Sequence, residues 1–181
     1  MNEIGSVERR RARLRRLAGA MRWVSLGLAA LGPLALIGVW ARFEVFAPSV
    51  MPGLGADSFS TLDRIGGYAL SMLPAAIGIW GFVNLARLFG RFAAGDLFDA
   101  ENAVRLRRFA ISLLAVVPAK VVAHALLSVW LTRALPPGSR QLQISVSSDD
   151  IVLCAVGLLM VALATVLREA AEIADENRQF V

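Results

Sequence analysis

Four apolar runs decide most of what this chain can become. Trp23 to Ala41, Ile65 to Ala86, Phe109 to Thr132 and Ile151 to Leu167 contain one formal charge between them, Lys120. Each approaches the ~20 residues needed to cross a hydrocarbon core of ~30 Å. Lipid offers nothing for backbone N–H and C=O groups to bond, so each run must satisfy them internally, as a helix. Composition agrees: 57% of residues are hydrophobic and only 18% charged, an imbalance foreign to soluble domains. The expected fold is an all-α membrane protein with four transmembrane helices arranged as two antiparallel hairpins.

Charge placement sets the expected orientation. Residues 1–22 carry seven arginines, the bridge 87–108 five and the tail 168–181 two, against two in each of the remaining loops. Basic residues collect on the cytoplasmic side of short loops, which gives both termini inside. The chain then divides into a basic cytosolic segment, 1–22, and a four-span domain, 23–181. Residues Trp23 to Trp40 make a stretch of 18, longer than the ~7–15 of a signal peptide core, and no good small-x-small site follows, so the first span is expected to be retained. The single cysteine, Cys154, lies within the fourth run and permits no intrachain disulfide.

Local patterns refine this. Leu14, Leu17 and Met21 recur on one side of the arginine-rich segment, which suits an amphipathic helix resting on anionic lipid headgroups; the arginines serve equally as a plain topology anchor. Direct nucleic-acid binding is not expected, because no aromatic residue interleaves these charges and no recognition fold surrounds them. Trp23 and Trp40 bracket the first span at the two headgroup levels, with Tyr68 and Asn84 in the same role on the second. Gly66, Gly67, Gly78 and Gly81 let another helix approach the second span closely. Outside the membrane, Leu142, Ile144 and Val146 alternate with polar residues, a strand signal, and pairing with Phe43 to Phe46 would make a small β cap. Asp149 or Asp150 is expected to cap the fourth helix.

The bridge is the most legible segment. Gly95 suits a left-handed helix terminus, and Asp99 can cap a new helix from Ala100, with Glu101 adding a second carboxylate at its positive end. Arg105, Arg107 and Arg108 follow. The pattern LFGRFAAGDLFDAENAVRLRRFA, with the closing VLREAAEIADENRQFV, resembles the four-span bacterial membrane proteins of the domain-of-unknown-function 2975 family. Gly95, Phe98, Asp99, Glu101, Asn102, Leu106 and Arg107 occupy the places of that family's signature, with Asp99 where Ser or Thr often stands. The resemblance implies a multi-pass protein of the bacterial cytoplasmic membrane with no assigned activity. It also implies a gene neighbourhood that often holds a small helix-turn-helix DNA-binding regulator, and it supplies no catalytic residues.

Lys120 is the chemical anomaly. A lysine this deep costs ~2.5–3.5 kcal/mol on insertion scales, and His124 and Ser128 follow at one-turn intervals on the same face. Three arrangements answer the cost. The amine is neutral, or it bonds helix carbonyls freed near Pro118, or it faces a wet pocket open to the outside. In the last case Asp63, Asp149 and Asp150 are the candidate counter-charges.

No enzyme constellation is visible, and neither a metal nor a cofactor is expected. The leading expectation is a regulatory membrane partner that sequesters a cytosolic helix-turn-helix DNA-binding protein, with Asp99, Glu101, Arg105, Glu172 and Glu176 as docking candidates. A small oligomeric transporter or channel subunit using Lys120 and His124 is the alternative, and an envelope assembly protein the third.

Overall fold

A computed structural model describes residues 2–43, 45, 60–97, 99–133, 142 and 144–179. Its helices are α1 (Asn2–Ala41), α2 (Thr61–Ala94), α3 (Ala100–Thr132) and α4 (Ser148–Gln179). They contain 40, 34, 33 and 32 residues. At ~1.5 Å per residue each is about 48–60 Å long, so every helix runs on beyond a ~30 Å core.

Only 17% of the most apolar stretch of each helix is buried. Leu31, Leu34, Leu158 and Leu159 all point outward, more than half exposed. In water such continuous faces would exceed the few hundred Å² of apolar patch that soluble monomers tolerate. In lipid they cost nothing. The molecule is a multi-pass membrane protein with four membrane-length helices among its described residues.

Each helix packs against its neighbour in the chain: α1 on α2, α2 on α3, and α3 on α4. Trp40 lies against Gly67 and Arg22 beside Gly90; Trp130 covers Gly66 and Ser112 meets Gly81; Leu114 touches Gly157. In the first two interfaces these pairs run in opposite senses along the helices. The packed residues collect at two levels. Trp40, Phe43 and Leu131 form one cluster, with Tyr68, Leu127 and Trp130 against it. Leu88, Leu106 and Ala164 form the other, with Leu85, Phe92, Phe109, Met160 and Leu167 around it. Between the two levels the helices meet through small residues, and Ser112, buried at Gly81, donates to the Phe109 carbonyl at 2.6 Å.

Arg22, Arg87, Arg91 and Arg105 surround one groove and Arg107 and Arg168 another, at the end of the molecule that carries the Leu88 cluster. We refer to this as the basic end.

Several expectations change. No strand occurs among the described residues: Phe43 and Val45 are helical, and Leu142, Ile144 and Val146 are irregular and exposed. Phe46 and most of the two loops lie outside the described residues, so the described parts of both segments form no β cap. An extended segment with nothing paired to it has no ladder to join. Trp40 is buried, stacked on Phe43 at 4.9 Å and donating to Ser71 Oγ at 3.3 Å, and so holds α1 on α2. Trp23 remains 72% exposed, as a headgroup-level ring should be. Asn84 is also buried, donating to the Trp80 carbonyl at 2.8 Å, and is no interface anchor. At α4 it is Ser147 that precedes the helix; Asp150 reaches back to accept from the Ser147 N–H at 2.8 Å and its hydroxyl at 2.9 Å.

Candidate functional site

The turn from α2 to α3 is built as anticipated at its ends. Gly95 is left-handed, with φ of 104°, and its N–H bonds the Arg91 and Phe92 carbonyls. Asp99 caps α3, its Oδ1 accepting from the Glu101 N–H at 2.7 Å. Phe98 lies outside the described residues. The centre of the turn is different from its ends: it is organised by Arg91 and Asn102. Asn102 is fully buried, and its amide nitrogen donates to the carbonyls of Asp96 and Leu97 at 2.6 and 3.2 Å. Its Oδ1 accepts from Arg91 Nε at 3.1 Å. The remaining nitrogens of Arg91 bind Asp99 and Glu101, and Glu101 also holds Arg105 one turn along α3. A polar loop between two spans is thereby closed with the buried side chain of Asn102 fully bonded, as a low dielectric demands.

Gly95, Asp99, Glu101 and Asn102 of the signature are therefore parts of one lock, closed by Arg91. A family model described as a protein of unknown function, DUF2975, matches residues 20–180. The chain belongs to the DUF2975 family. No curated protein and no solved structure matches it.

In this DUF2975 protein three of the five docking candidates form ion pairs within the chain around this turn. Asp99 and Glu101 pair with Arg91 and so tie α2 to the start of α3, while Arg105 pairs with Glu101 along α3 itself. Glu172 is exposed and pairs with Arg168 at 2.8 Å, while Glu176 is exposed further along α4. Arg91 and Asn102, which close the turn, are not among the docking candidates that the sequence offers. The signal was there, an asparagine directly after two capping carboxylates with an arginine one turn before the glycine, but it needs the turn's geometry to be read.

The second site lies toward the other end. Lys120 Nζ donates to Asp150 Oδ1 at 2.7 Å. The carboxylate is nearly inaccessible, at 4% exposure, while the lysine side chain is 52% exposed. Of the three candidate counter-charges Asp150 is the one that arrives; Asp63 instead pairs with Arg133 at 2.8 Å and closes a capping box with Ser60, and Asp149 is exposed. The pair forms because α4 starts low: its first turn meets Lys120, 12 residues before α3 ends, about 18 Å along the axis. His124 is half-buried and makes no side-chain hydrogen bond to a described residue. Ser128 is buried and donates to the Ala125 carbonyl at 2.8 Å. Lys120–Asp150 is thus the ion pair of this region, with His124 one turn along α3 from Lys120.

Lys120→Met would strand a buried carboxylate, whereas Lys120→Met combined with Asp150→Asn removes both charges. Breaking one half of a buried pair costs more than replacing both. The single variant is expected to lower the midpoint of detergent unfolding more than the double; a double variant weaker than the single would show the pair to be indifferent to stability.

Proposed function

We propose that this is a regulatory membrane protein that senses at Lys120–Asp150 and acts through the far end of α4. On this reading the four spans form two antiparallel hairpins with both termini in the cytosol. The arginine distribution supports that orientation. The carrying observation is α4 itself: one unbroken helix links the ion pair in its first turn to a charged segment beyond the basic end. Along it, the only fully buried positions among its described residues are Asp150, Gly157, Ala164 and Ala171, spaced seven apart. Small side chains let α4 lie close on α3 along this seam, and the ion pair ties its first turn there.

At the cytosolic end a groove of about 370 Å³ opens between α3 and α4, walled by Arg107, Arg168, Glu169 and Glu172 around Val104 and Val161. With Glu176 beyond it, this surface is suited to a basic partner. A DNA-binding protein of helix-turn-helix type, which must itself carry a basic face, fits that description. Its capture by an acidic helix would compete with DNA, and loss of the Lys120–Asp150 tie would shift α4 and release it.

The test is purification at native levels in mild detergent, with companions identified by mass spectrometry. A small helix-turn-helix protein near one-to-one, lost on Glu169→Gln, Glu172→Gln and Glu176→Gln together, is the expected result. Recovery of the protein alone would remove this reading.

A further inference from the structure

We infer that the groove between the basic ends of α1, α2 and α3 is a binding site for the phosphate headgroup of an anionic phospholipid. The cavity is about 450 Å³ and is lined by Arg22, Arg87, Arg91 and Arg105, with Asp96 its one acidic wall. Arg91 and Arg105 are engaged by the carboxylates of the α2–α3 lock. Arg22 and Arg87 are both exposed and form no ion pair with a described residue. Arg15 adds a further guanidinium at the rim, reaching over Gly95. Even when the carboxylates of Asp96, Asp99 and Glu101 are all set against these five arginines, the groove keeps an excess of positive charge.

Two further features specify the ligand. The groove's cationic groups are all guanidiniums, planar forks that match phosphate oxygens bidentately. The lining is also amphiphilic along the helix axes. Leu26 and Val83 lie one turn from Arg22 and Arg87 in the direction of the apolar core, and they continue the groove into the zone that faces lipid chains. A free phosphate would use only the arginines; a phospholipid uses both parts. Basic pockets between helices at the membrane surface bind headgroups in this manner. The stem of Arg22 passes over Gly90 in the groove's floor. This inference rests on the helices spanning a bilayer and not on the regulatory reading.

The experiment is native mass spectrometry of the purified full chain, titrated with phosphatidylglycerol or phosphatidylcholine. Wild type is expected to hold phosphatidylglycerol in preference, and Arg22→Gln/Arg87→Gln to weaken that binding about tenfold or more, since each basic residue near an anionic headgroup matters by roughly that factor or somewhat less. Arg107→Gln/Arg108→Gln removes the same charge outside the groove and is expected to change binding less than about twofold, on the same scale. Equal losses in the two charge-matched variants would overturn the site, as would equal binding of the two lipids. Displacement of phosphatidylglycerol by millimolar inorganic phosphate would overturn its assignment to a lipid. A circular dichroism spectrum matching wild type confirms that the exposed-arginine variants are folded.

Discussion

Asn102→Ala is expected to destabilise the protein by about 2–4 kcal/mol, read as a shift in SDS unfolding followed by helical circular dichroism. Three groups lose their partner at once: the carbonyls of Asp96 and Leu97, and Arg91 Nε. The side chain is wholly enclosed, so water cannot substitute without opening the turn. The Arg91 bond is charge-assisted, and such bonds to buried groups lie at the upper end of the usual range. Asn102→Asp separates the contributions. It keeps an oxygen for Arg91 but turns a second oxygen onto two carbonyl oxygens, so it should be no better than alanine despite its near-identical shape. A loss below about 0.5 kcal/mol for both variants would mean that the Arg91 ion pairs alone close the turn.

The spans, their number and the caps of the bridge were readable because each depends on local chemistry. Hydropathy over ~20 residues, a glycine where the backbone turns left-handed, and an aspartate before a helix act within a few residues of themselves. The interior of the bridge depends on something else. Arg91 and Asn102 are 11 apart and meet only because Gly95 reverses the chain between them. Trp40 shows the same limit. An aromatic at the end of a span reads as a headgroup anchor by statistics, yet Gly67 leaves a recess opposite it, and the ring enters the recess.

The Lys120 site was half legible. Depth in the third span marked it, and Asp150 stood among its possible partners, but the choice was set by register between α3 and α4. Gly157 against Leu114 and Ala164 against the Leu88 and Leu106 cluster fix that register. Given both contacts, Asp150 falls opposite Lys120. The strand reading of residues 142–146 failed for a complementary reason. Alternation describes a half-buried strand only where a partner edge is available, and the segment assigned to that role continues the helical conformation of α1 at Phe43 and Val45.

Gly67→Ala is expected to cost about 2–3 kcal/mol in the same unfolding assay, a large effect for one methyl group. The added carbon would stand 1.9 Å from the nearest Trp40 ring atom and within 2.6 Å of two others. The ring has little freedom to give way. Phe43 lies parallel to it at 4.9 Å, Ser71 accepts from its N–H, and only 7% of the residue is exposed. Relief must therefore come from α1 moving away from α2, which loosens the whole Trp40 cluster. Trp40→Leu offers a different relief by removing the obstructing ring, at a cost of its own from lost packing. In a protein already carrying Trp40→Leu, the further penalty of Gly67→Ala should fall to about 1 kcal/mol or less, a coupling that only direct contact produces. Additive penalties would mean that the glycine is needed for something other than the ring. Gly66 supplies an internal comparison, since a Cβ at this preceding glycine would stand 2.4 Å from the ring of Trp130 on α3. Two adjacent residues without side chains thus seat two indoles from two different helices, and Trp40→Leu should rescue an alanine at Gly67 while leaving one at Gly66 as damaging as before.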